Sequence, residues 1–72
     1  MFLPNKAYRH RNPDIAYDIL VMSSRKLDGF YELNLKYLDK DTKTVVKWPS
    51  SPEEEQVAMF DSAATSWFQI EH

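Results

Sequence analysis

The chain contains a single glycine, Gly29, and it follows an aspartate between two stretches of alternating apolar residues. Asp-Gly in that setting is a strong hairpin signal, because a primed two-residue turn needs positive φ at both central residues. The flanking segments, 15–24 and 30–38, read as antiparallel strands, so a central hairpin over 15–38 is expected. A two-residue turn pairs Leu27 with Phe30, and with them Arg25 with Glu32, Ser23 with Asn34 and Val21 with Lys36. The other face then pairs Ser24 with Leu33, Met22 with Leu35 and Leu20 with Tyr37. Leu20, Met22, Leu33, Leu35 and Tyr37 are therefore the expected core. Tyr17, Ile19 and Leu38 fall on the opposite face, and a long strand pair that changes its buried face is expected to coil, as in small barrels.

With 72 residues the chain forms one domain, 1–72, and such a domain buries only about 60% of its unfolded surface. Ten aromatic residues compensate for the small core with bulky side chains. There is no cysteine, hence no disulfide framework and no sign of secretion. No apolar run approaches the roughly 18 residues that span a bilayer, and residues 1–6 carry no basic-then-apolar leader, so a soluble cytoplasmic protein is expected. The net charge of −2 is unevenly spread. Residues 1–26 hold five basic against two acidic residues, a net +3, and residues 27–72 hold four against nine, a net −5. A dedicated nucleic-acid binder is usually basic overall; this chain has at most a basic patch.

Before the hairpin, residues 6–11 read as a first strand with Tyr8 as its apolar residue, and Asn12-Pro13-Asp14 as a turn. After it, Asp39-Lys40-Asp41-Thr42 reads as a second turn into a strand at 43–48. Pro49-Ser50-Ser51-Pro52 breaks that strand. Segment 52–60 is ambiguous: Ser51-Pro52-Glu53-Glu54 fits a helix-capping box, while Val57 and Met59 alternate like a strand. The strand reading is preferred, followed by a short helical turn within 61–66 and a last strand at 67–70. The expected fold is all-β: a small antiparallel five-stranded SH3-like barrel or curved meander.

Lys6, Ala7, Tyr8, Arg9, His10, Arg11 and Asn12, followed by Asp14 and then Asp18, Ile19, Leu20 and Val21, resemble the opening of small uncharacterised proteins of tailed bacteriophages and marine viral metagenomes. Those proteins begin with a Lys-x-Tyr-Arg-His-Lys-Asn pattern. Their ends are similar to this one too, in Val57, Met59, Trp67 and Ile70, although the segment 49–55 is an insertion relative to them. The resemblance implies a compact barrel-like fold in a phage-encoded protein of the host cytoplasm. It carries no activity and assigns no site residues.

No constellation of catalytic residues emerges. His10 lies between two arginines that repel a divalent cation, and neither Asp14, Asp18 nor the terminal His72 completes a ligand set. A single glycine builds neither a phosphate loop nor a nucleophile elbow. An enzyme, a metal and a cofactor are therefore not expected. The expected function is that of a non-enzymatic interaction module, binding a protein partner or contributing to an assembly. A homodimer through an exposed strand edge at 6–11 or 43–48 is one form of it, with Lys43 and Lys47 as partial protection. The alternative is weak nucleic-acid binding by the strand 6–11, and the candidate residues for either patch are Lys6, Tyr8, Arg9, His10, Arg11, Arg25 and Lys26. The opposing expectation is that Tyr8 is buried and the cations form one solvated face. The acidic run Glu53-Glu54-Glu55 is expected to be a solvated loop, and Trp48 and Trp67 to pack at the core or its rim.

Overall fold

The computed structural model describes residues 1–47 and 52–71. Its strands are β1 (Lys6–His10), β2 (Tyr17–Leu27), β3 (Phe30–Asp39), β4 (Glu55–Phe60) and β5 (Trp67–Ile70), with one helical turn, α1 (Asp61–Ala64), before the last strand. They form one antiparallel sheet in the order β4-β3-β2-β1-β5. Segment 55–60 is thus a strand, and the Pro52 capping box starts no helix.

The sheet must roll. A flat five-stranded sheet would hold its edges about 19 Å apart. The link from β4 to β5 has only six residues, four of them helical, and spans at most about 16 Å. Rolling stops short of closure, so of the two expected forms, barrel or curved meander, the sheet takes the open, curved one. The reason is direction: β4 and β5 are antiparallel to neighbours that themselves run the same way, so they are parallel to each other. Parallel neighbours need a crossover of a dozen or more residues, which this link does not provide.

The central hairpin forms with Leu27 opposite Phe30, Arg25 opposite Glu32 and Ser23 opposite Asn34, as the turn register requires. Two details differ. Only Gly29 has positive φ, at +84°, and Asp28 does not, so the turn has the type II sign pattern rather than the primed one. A bulge at Met22 then shifts the pairing by one residue, so that Val21 meets Leu35 and Ile19 meets Tyr37. The shift changes the setting of Asp18. Without the bulge it would lie opposite Asp39 and share a face with the core residues; with it, Asp18 lies opposite Leu38 and its side chain reaches Arg9 of β1.

This shift corrects the expected core. Leu33 and Leu35 are buried and Tyr37 packs half-buried against their cluster, but Val21, Ile19, Tyr8 and Phe2 complete it in place of Leu20 and Met22, which are half-buried. Leu38 is buried on the opposite face. Phe2 comes from what reads as a short lead-in: its ring meets Tyr8 and Tyr31 edge-on at 4.9 and 5.2 Å, filling the concave side. Asn5, at φ 63°, turns the chain from that anchor into β1.

The expected strand at 43–48 does not join the sheet over its described residues. Its trace there is a single bridge between Leu38 and Val45, because a tight loop precedes it. Asp39 accepts the N–H groups of Asp41 and Thr42, and Lys43 takes a left-handed φ of 58°. The Trp48 end of that strand, the break at 49–51 and His72 lie outside the described residues.

Candidate functional site

The seven candidate residues do not form one patch. Because β1 sits between β2 and β5, segment 6–11 is not a sheet edge, and alternate residues face opposite sides. Tyr8 is in the core, where its hydroxyl accepts the Leu3 N–H at 2.7 Å, and it presents no face for stacking. Arg9 grips Asp18 with two hydrogen bonds of 2.9 Å. The Asp18 carboxylate is 1% exposed, and its hydrogen bonding raises the Arg9 guanidinium above its ordinary value. At the other end of the hairpin, Arg25 pairs with Glu32 at 3.1 Å and Lys26 with Asp61 at 3.2 Å, the latter beside the Tyr31 ring. Lys6 is exposed at the start of β1.

His10 and Arg11 have a different setting. The His10 ring meets Trp67 edge-on at 4.9 Å, and its Nδ1 accepts the Asn12 N–H at 2.9 Å. Asn12 in turn receives the N–H groups of Asp14 and Ile15, closing the Asn-Pro-Asp turn anticipated from sequence. The Asp39 loop reaches across, with Lys40 Nζ donating to the Pro13 carbonyl at 3.3 Å. Between the two loops lies a shallow cleft of about 370 Å³ lined by Arg9, His10, Arg11, Pro13, Lys40, Asp41 and Phe68. Phe68 lies opposite Arg9 on β5 and is 43% exposed.

Lys40 and Phe68 are therefore members of the candidate site that sequence reading missed. Lys40 sits 31 positions after Arg9, in what reads as a turn, and Phe68 reads as packing beside Trp67. Only the pairing of β5 with β1 and the geometry of the Asp39 loop bring them to Arg11.

Two other depressions are less suited to a ligand. One of about 400 Å³ is lined by Ser23, Arg25, Glu32, Asn34 and Gln56 among others, where Arg25–Glu32 and Asn34–Ser23 already satisfy one another. The second, about 550 Å³, lies between the start of β1 and the end of β5. In the acidic run, Glu53 bridges Lys36 at 3.4 Å, and Glu55 hydrogen-bonds Tyr37, whose hydroxyl is pushed up first by burial and then by that carboxylate. Among the described residues no group of three or more His, Asp or Glu side chains is placed to hold a metal ion. No helix among them is long and apolar enough to cross a membrane.

These features define a small antiparallel β protein with a rolled, open sheet and a cationic cleft beside one edge. No family model, curated protein or solved structure matches the chain.

Proposed function

We propose that this protein is a non-enzymatic interaction module that binds a protein partner, or a second copy of itself, along the free edge of β4. The observation that carries the reading is that edge. Glu55–Phe60 pairs with β3 over six consecutive residues without a bulge, and among the described residues its other side is unpaired. Soluble proteins usually blunt such an edge with lysine, proline or a bulge, and this strand has none of them. Phe60 at its end is 71% exposed, a large apolar anchor for whatever strand is added. The phage origin rests on the resemblance of both ends of the sequence, residues 6–21 and Val57, Met59, Trp67 and Ile70, to proteins of tailed bacteriophages.

Size exclusion with light scattering, and a pull-down from host lysate, test the reading on wild type and on Ala58→Lys. Ala58 is exposed on β4, so lysine there blunts the edge without entering the core. Wild type should run above monomer mass or retain a specific partner, and the variant should lose whichever is seen. A strict monomer with no partner, or an unaffected variant, refutes the assignment.

A further inference from the structure

Among the described residues Arg11 is an exposed cation with no ion pair, and Lys40 is held only by a long bond to the Pro13 carbonyl. Both line the cleft whose wall includes the exposed ring of Phe68. Arg9 adds no net charge there, since Asp18 neutralises it. Asp41 is the one acid of the lining. Two cations spaced around an aromatic face match a chain that alternates charged and planar groups, and the cleft volume is at the low end for ligand sites.

We propose that this cleft binds single-stranded nucleic acid, with backbone phosphates on Arg11 and Lys40 and one base stacked on Phe68. A duplex does not fit the arrangement, because its bases are already stacked and offer no free face to the ring. Stacking is sequence-tolerant, so binding is weakly selective among bases. Asp41 opposes the phosphates and keeps the affinity low. The cleft is lined from β1, the loop after it, the Asp39 loop and β5 and takes no residue from β4, so this site is distinct from the β4 edge.

The test is fluorescence polarisation of a labelled ten-residue oligothymidylate with the full chain at 50 and 200 mM salt. Two phosphate contacts to a single strand give a slope of about −1.4 in log K against log salt, hence an approximately sevenfold loss over that range. Phe68→Ala should weaken binding by about 5- to 150-fold, and Phe68→Trp should restore it. Arg11→Ala should flatten the salt slope by about 0.7, whereas Arg25→Ala, outside the cleft, should leave it unchanged. Asp41→Asn should bind more tightly than wild type, a gain that misfolding does not produce. The proposal is overturned if wild type shows no salt-sensitive binding, or if Arg25→Ala weakens it as much as Arg11→Ala. It also fails if Asp41→Asn gains nothing, or if a poly-glutamate peptide of equal length binds as tightly as the oligonucleotide.

Discussion

The hairpin tip offers a sharp test, because strain and space can be separated there. Gly29 has φ +84°, and a Cβ built on it would find nothing within 4 Å. Gly29→Ala therefore costs backbone strain without a clash. Holding an L-residue in the left-handed region costs about 1–2 kcal/mol, and the smaller entropy of the unfolded alanine chain returns about 0.4–1 kcal/mol. The net loss is about 1 kcal/mol, which lowers Tm by about 4–8 °C in a domain of this size. Gly29→Asn should lose less, since asparagine tolerates positive φ better than alanine. Asp28→Pro completes the set. Asp28 lacks positive φ, and among the described residues no turn hydrogen bond uses its N–H, so proline should be tolerated or stabilising. Thermal melts followed by circular dichroism read all three. A melt of Gly29→Ala equal to wild type, or collapse of Asp28→Pro, refutes the turn geometry; a loss above about 3 kcal/mol in Gly29→Ala refutes the claim of free space.

Three further outcomes follow from the same structure. Arg9→Met strands the buried Asp18 carboxylate and should unfold at much lower urea than the double variant Arg9→Met/Asp18→Leu, which removes both charges; equal midpoints would show that Asp18 is not dependent on Arg9. Asp39 is held below the usual carboxylate range by the N–H groups of Thr42 and then Asp41. A depressed folded value means that its stabilisation is present above the ordinary carboxylate range and lost as pH falls through the folded value. Acid titration of the loop resonances should therefore show this loss in wild type and its absence in Asp39→Ala. Leu35→Ala in the core should cost about 2–5 kcal/mol in urea denaturation, and a cost under about 1 kcal/mol would place Leu35 outside the packed cluster.

Much of the fold can be read directly from residue order. Asp28-Gly29 locates the hairpin tip because only glycine accepts its φ at no cost, and the pairs from Leu27–Phe30 to Ser23–Asn34 follow by counting. Asn12-Pro13-Asp14 closes a turn because the Asn12 side chain is built to bond the backbone two residues on. The last strand, Trp67–Ile70, follows the short turn read within 61–66, with its boundaries correct. All of these are decided within a few residues.

What local pattern misplaced depends on partners distant in the chain. The bulge at Met22 cannot be seen in the hairpin alone, because its benefit is the meeting of Asp18 with Arg9 on a third strand. Phe2 reads as part of a tail until Tyr8 and Tyr31 supply the rings it packs against. The choice between the two expected forms, an open meander over a closed barrel, has a topological reason, the parallel course of β4 and β5, which no segment expresses by itself. The candidate site divides in the same way. His10 and Arg11 belong to a basic run visible in the sequence, but Lys40 and Phe68 join them only when the Asp39 loop folds over and β5 pairs with β1. Sequence alone determined the turns and the strands they bound, since those rest on backbone conformations available to single residues. Tertiary structure decided which face each strand buries and which cations stay free, since both depend on the residue that pairing places opposite.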